Sequence, residues 1–419
     1  MRHLFLFDVD GVLVDPRGYM RALQDTVAHF STKLGVGFWP PTDQEVHDFE
    51  ANSLSSEWDS AALCIGALLL ARWQAEPALR LPTGWQEALA LLAQRPLQVR
   101  RPDYRGLGRK VQRHRAARVA QIARHSAVRV GNSANSATLT AAQAIRHVLW
   151  DVASSDPSFV QALPAFSQWL GLLLDRTFDF FTTPITRYFE HLVLGSEGVA
   201  STFGVQPDFP TQAYLSALDR PLLSTSTCAR LKDAAGRQRI GIATYTARPS
   251  RPPDGIDNPP LGYAPEAEMA RALAGLQEFP LIAGGRMLWL AEELRVPVDQ
   301  IVKPSPVQAL AAIAAAWSGA EMAALRAAAA LGLQGLGTPP IIDMEPISVH
   351  VFEDTLGGLD GIDGAVSLLQ GAGKLVEWQP YGIAPHAGVK AEALNAHGIP
   401  LYPSINEAVA SALQLADAG

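Results

Sequence analysis

The sequence predicts an α/β protein, a doubly wound parallel sheet with an enlarged, mostly helical insertion. Three observations point there. Apolar runs at 3–7, 240–245 and 349–352 each stop at a polar cluster, and helical patterns follow them. These runs are apolar at nearly every position, as strands covered on both faces are. Between the first two runs lies a block of about 220 residues that reads as mostly helical. The 419 residues are 48% apolar and 18% charged, which excludes global disorder and a charge-laced coiled coil.

In chain order, the run at 3–7 reads as a buried strand ending in the turn Asp8-Val9-Asp10-Gly11, and a helix is expected over about 19–34. Residues 41–73 and 84–93 read as helices; the stretch 61–71 is the longest clean apolar run and is too short to span a membrane. Between Arg95 and Arg129 stand eleven Lys/Arg and one acid, Asp103, so this segment carries +10 in a chain of net charge −7. Pro102, Gly106 and Gly108 are expected to break any continuous basic helix there. The Ser/Asn/Ala/Thr-rich stretch 131–143 reads as a loop. Helices are expected near 140–152 and 159–178, then an irregular stretch to about 220.

From Arg239 the α/β pattern returns: a strand over 240–245, a Pro- and Gly-rich loop over 250–263, and helices near 265–277 and 285–295. A short strand at 300–302, two Ala-rich helices over 306–333, a strand over 348–352 and helices near 360–372 and 405–415 complete the reading. The expected organisation is a core from 1–16 and 221–419, with 17–220 as the helical insertion and 95–185 its basic, unmatched part.

Chemistry concentrates at four strand ends, where open α/β sheets bind ligands. Asp8 and Asp10 form a carboxylate pair that is costly at a buried strand end unless met by a metal or protons, although Asp-rich turns are common after strands. Thr246, with the backbone of Ala247 and the side chain of Arg248, could hold a phosphate oxygen; Thr244 competes with Thr246 for that role. Lys303 could place an ammonium beside Asp8. Glu353 and Asp354 are adjacent acids suited to Mg²⁺, and Asp360 is the next acid along.

Phe7-Asp8-Val9-Asp10-Gly11-Val12 resembles the first motif of the haloacid dehalogenase (HAD) superfamily. Thr246-Ala247-Arg248-Pro249, Lys303-Pro304 and Glu353-Asp354 resemble its second, third and fourth motifs, in the family's order. The segments 15–25 and 57–59 look like the phosphoglycolate phosphatase-like subgroup, whose helical cap follows the first motif. The resemblance covers 1–35 and about 220–419; the stretch 95–185 matches nothing nameable. The fourth motif departs from the form with Gly before its Asp, because Glu353 stands there, and fits the form with two adjacent acids.

The resemblance implies a Rossmann-like core and a Mg²⁺-dependent phosphatase. Asp8 would be the nucleophile that takes up the phosphoryl group. Asp10 would be general acid and then base, its acid form favoured by burial and by Asp8. Thr246 and Lys303 would complete the catalytic set; Thr246, Ala247, Arg248 and Lys303 would bind the phosphate; Asp8, the Asp10 carbonyl, Asp354 and Glu353 would hold the metal. A phosphomutase and a catalytically silent HAD-fold binding protein are the alternatives.

The expected partner is a small phosphorylated metabolite. The acidic balance and the broken basic segment argue against nucleic acid as the main partner, and substrate steering or a solvated surface accounts for the +10 segment. Cys64 and Cys228 make neither a disulfide framework nor a metal pattern. With no signal-like start, a cytoplasmic protein is expected. His3, His114, His125 and His147 are dispersed and read as structural or surface residues.

Overall fold

The computed structural model describes residues 1–418 except 53, 55, 83, 127–139, 238–239 and 257–260. The fold is α/β. Eight strands are present among the described residues: β1 (Arg2–Phe7), β2 (Val14–Asp15), β3 (Arg220–Pro221), β4 (Ile240–Tyr245), β5 (Leu281–Ile282), β6 (Ile347–Glu353), β7 (Val376–Ile383) and β8 (Leu401–Tyr402). Six form one sheet in the order β5-β4-β1-β6-β7-β8, every pairing parallel. Strands β2 and β3 form a separate antiparallel pair.

The continuous apolar pattern of β1 follows from its central place. Leu4 and Leu6 enter one core with Ala243, Val349 and Val351 and the Ala-rich helices Pro306–Ser318 and Glu321–Gln334. Phe5 and Phe7, on the opposite face by strand alternation, enter a second core with Ile242, Phe352 and Tyr381 and the helices Thr225–Gly236 and Ile405–Ala418. Fully burying a Leu or Phe side chain is worth about 1.5–3 kcal/mol, so β1 is anchored from both sides.

By contact density the chain divides into two compact units: one of 1–17, 197–207 and 215–419, the other of 18–196 and 208–214. The second is helical. Its helix Glu57–Ala75 is buried along most of its length, which accounts for the clean apolar run seen there. Among the described residues no helix is long and apolar enough to cross a membrane.

Four expectations need correction. The helical stretch at 41–73 is two helices, Asp43–Ala51 and Glu57–Ala75. The supposedly irregular stretch before 220 holds the helix Pro184–Phe203, interrupted at Gly195. The basic segment is helical over Tyr104–Ser126, with Gly106 and Gly108 inside it: Asp103 Oδ1 accepts from the Gly106 amide at 2.8 Å, and buried Tyr104 and Val111 anchor the helix, against about 1 kcal/mol per glycine. Residues 127–129 of that segment, 131–139 of the expected loop and the side chain of His125 lie outside the description. Finally, 300–302 is not a strand: Gln300 closes the short 3₁₀ segment Val298–Gln300 and 301–302 form a turn; Ile301 is apolar because it is fully buried in the core that the Ala-rich helices join.

Candidate active site

Strand register brings the chemistry together. Phe7 pairs with Thr244 on one side and Phe352 on the other, so Asp8, Tyr245 and Glu353 stand level at the carboxyl end of the sheet. Asp8 is anchored by its amide, which donates to the Phe352 carbonyl at 3.0 Å. The chain then turns through Gly11, whose φ of +74° lies in the left-handed region. A Cβ at Gly11 would stand 2.4 Å from Asp354 Oδ2, so both the backbone conformation and the approach of Asp354 call for glycine there.

Asp8, Glu353 and Asp354 are buried, and each offers a carboxylate oxygen within 4.8 Å of the others. Glu353 is held on both oxygens: Oε2 accepts from the Tyr245 hydroxyl at 2.8 Å and from Lys303 Nζ at 3.1 Å, and Oε1 from Thr355 Oγ1 at 2.8 Å. Its carboxylate lies over the start of the helix Leu356–Gly371, where a Cβ on Gly358 would meet the Glu353 carboxyl carbon at 2.2 Å. The helix N-terminus favours that negative charge. Asp360 is exposed farther along the same helix and lies outside the cluster.

Lys303 Nζ donates to Asp8 Oδ1 at 2.7 Å and sits 3.8 Å above the centre of the Tyr245 ring. Gln308 fixes its backbone: Oε1 accepts from the Lys303 amide at 2.9 Å, and Nε2 donates to the Thr246 carbonyl at 2.8 Å. Burial opposes the ammonium, but Asp8 and Glu353 outweigh it and hold Lys303 above its ordinary pKa. Burial, then the charge of Glu353, pushes Asp8 well above the usual carboxylate range, with Lys303 acting in the opposite direction. Tyr245 is likewise raised by burial and by Glu353.

Thr246 follows β4 directly, and its Oγ1 accepts from the Arg248 amide at 3.2 Å. Thr244 lies one turn of the pleat earlier, fully buried, its hydroxyl donating to the Pro280 carbonyl at 3.3 Å. Ala247 is exposed in the turn between Thr246 and Arg248. The guanidinium of Arg248 is buried and engages two acids. Nε reaches both Asp10 oxygens at 2.9 and 3.0 Å, and Nη2 reaches Asp10 Oδ1 at 2.5 Å and Asp219 Oδ2 at 3.2 Å. Asp10 is thus an ion-pair partner in this conformation, and a proton-donor role requires the pair to open.

Sequence reasoning missed four residues here: Tyr245, Gln308, Asp219 and Lys390, whose Nζ donates to Asp354 Oδ2 at 2.7 Å. The donor set fits a hard divalent cation: it is all oxygen, and the three buried carboxylates of the cluster are met by two ammonium groups among the described residues. Of the dispersed histidines, His3 is hydrogen-bonded to His350 at 2.9 Å, and His114 stacks on His147 with ring centres 5.1 Å apart.

No protein-family model matches the sequence, and no curated protein matches it. Among solved structures, the X-ray structure of Northeast Structural Genomics Consortium target ZR25 is similar over 97% of this chain and 97% of its own, with 13% identity and a TM-score of 0.55. At that identity the likeness is one of fold. Phosphatase Tt82 from Thermococcus thioreducens is similar over 90% of this chain and 91% of its own, with 12% identity and a TM-score of 0.35.

Proposed function

We propose that this protein is a Mg²⁺-dependent phosphatase of the HAD type that hydrolyses a small phosphate monoester through an aspartyl-phosphate on Asp8. The observation that carries the reading is Asp8 itself: a buried carboxylate at the end of the central strand, 2.7 Å from the Lys303 ammonium and clustered with Glu353 and Asp354. When bound, Mg²⁺ held by Asp8, Asp354 and Glu353 would neutralise charge and polarise the phosphoryl group.

The chain's own residues do the rest. Asp8 attacks phosphorus, and the P–O bond to the leaving alkoxide breaks. Lys303, pinned between Asp8 and Glu353, offsets the charge that the nucleophile and phosphate bring together. The Thr246 hydroxyl, at the adjacent strand end, holds a phosphate oxygen. Asp10 gives its proton to the leaving oxygen and then takes one from the water that cleaves the acyl phosphate. For that it must first be released by Arg248, whose other acidic partner is Asp219.

The test is phosphate release from p-nitrophenyl phosphate with and without Mg²⁺, by wild type and Asp8→Asn. Mg²⁺-dependent release that Asp8→Asn abolishes without loss of far-UV dichroism is expected; wild-type-like release by Asp8→Asn refutes the assignment. A second reading, a HAD-fold binding protein without turnover, draws on the ion pairs Asp10–Arg248 and Asp354–Lys390, which occupy the acid and one metal ligand. It predicts no turnover in the wild type.

A further inference from the structure

We propose that Lys390 is a built-in competitor for the divalent cation: it holds Asp354 in the metal-free protein and is displaced when the cation binds. The inference rests on the metal reading above and deepens it.

The first argument is charge balance. Asp8, Glu353 and Asp354 are buried within reach of one another, and Lys303 and Lys390 meet them with two ammonium groups. A divalent cation together with Lys303 balances three carboxylates. Keeping Lys390 as well leaves excess positive charge in a buried site, with two cations repelling each other across one carboxylate.

The second argument decides which ammonium leaves. Lys303 is fixed by Asp8, Glu353 and the Tyr245 ring, and its backbone amide is tied to Gln308; its side chain is 18% exposed. Lys390 is 37% exposed and pairs with Asp354 Oδ2 at 2.7 Å. The residues before it, Pro385–Val389, are exposed, so its side chain can swing outward at little cost in packing. It also stands in the first turn of the helix Val389–Ala396, where the helix dipole disfavours a cation. The pairing with Asp354 Oδ2 is the interaction that a metal on that carboxylate would replace.

The third argument is the ligand. Asp354 is pressed against Gly11 so closely that a Cβ there would stand 2.4 Å from Oδ2. The Asp354 side chain is only 10% exposed against 37% for Lys390, so exchanging ammonium for metal moves the lysine rather than the acid.

The experiment is calorimetric titration of MgCl₂ alone, without substrate, into wild type, Lys390→Gln and Lys390→Arg, with crystal structures of the wild type grown with and without Mg²⁺. Lys390→Gln is expected to bind Mg²⁺ about tenfold more tightly, about 1.4 kcal/mol, and Lys390→Arg, which keeps the charge, to show no such gain. In the Mg²⁺ crystal the Lys390–Asp354 pair is expected to be open. Unchanged or weaker Mg²⁺ binding by Lys390→Gln overturns the inference. So does a Mg²⁺-bound wild type in which Lys390 still pairs with Asp354, a result that needs no variant to fold. If neither wild type nor Lys390→Gln binds Mg²⁺, the metal reading fails and this inference falls with it.

Discussion

Replacing Lys303 by Met removes the ammonium on which two buried acids depend. In the wild type Nζ lies 2.7 Å from Asp8 and 3.1 Å from Glu353, and the side chains of these acids are only 10% and 2% exposed. Breaking a buried ion pair from one side costs about 3–5 kcal/mol, because the remaining charge is left uncompensated. Loss of the contact with the Tyr245 ring acts in the same direction. At about 2–4 °C per kcal/mol for a unit of this size, the melting temperature of the sheet-bearing unit should fall by about 6–20 °C at pH 8. The sign of the pH dependence follows from Asp8. Its pKa is already raised in the fold, so its protonated form is the one the fold favours, and that contribution is lost as pH rises. Without Lys303 the dependence steepens, and the gap between variant and wild type should be narrower at pH 5 than at pH 8. Thermal denaturation followed by far-UV dichroism at pH 5 and pH 8, with hydrogen exchange of the β1 and β6 amides as a local probe, measures both quantities. Equal midpoints at pH 8, or a gap that widens at pH 5, would refute this account of the buried pair.

Three other perturbations separate the parts of this arrangement. Tyr245→Phe deletes one hydrogen bond to Glu353 and should cost about 1.5–3 kcal/mol, as a bond to a charged acceptor does; an unchanged urea midpoint would show that water replaces the hydroxyl. Gly11→Ala combines a left-handed φ with a collision at Asp354; it should lose about 1–3 kcal/mol and weaken Mg²⁺ binding, the opposite of Lys390→Gln, so tighter binding contradicts the role given to that glycine. In the helical unit, burial raises Asp59 to about 6. Stability from this group is fully present below the ordinary carboxylate pKa and is lost as pH rises through about 6. Asp59→Asn should therefore gain on wild type between pH 4 and 7, by up to about 3 kcal/mol, and a difference in melting temperature that stays flat with pH excludes it.

How much of the fold could be read depended on where a strand lies in the sheet. Strands β1, β4 and β6 are central, covered on both faces, and so largely apolar; each shows as a run. Strand β7 does not, because Val376-Glu377-Trp378-Gln379-Pro380 mixes charge, amide and proline. It pairs with β6 along seven residues but with β8 only at Gly382 and Ile383, so Pro380 faces no ladder partner on that side and its missing amide hydrogen is tolerated. Strands β5 and β8 are two residues long, too short for any periodicity. The turn at 300–302 misleads in the opposite way: burial alone makes Ile301 look like part of a strand.

At the site, residues that end a strand or follow it directly were legible, because the strand marks them: Asp8, Thr246, Glu353 and Asp354. Their partners were not, since each is chosen by packing across the sheet. Tyr245 reads as one more apolar strand residue, and only the register with Asp8 and Glu353 turns its hydroxyl toward Glu353, 108 residues away. Lys390 lies in a segment with no pattern of its own. Arg248 and Asp10 were both visible, yet nothing local says that they face each other across 238 positions of chain. That pairing bears on the chemistry more than any single residue does. An arginine fork on Asp10 opposes proton donation, but the same guanidinium already touches Asp219, whose side chain is 2% exposed. Because Asp219 is fixed and buried, it can keep the arginine when Asp10 lets go. In the proposed reaction the guanidinium would then stay paired with Asp219, and Asp10 would become available to the leaving oxygen at the cost of one ion pair that is partly open to solvent.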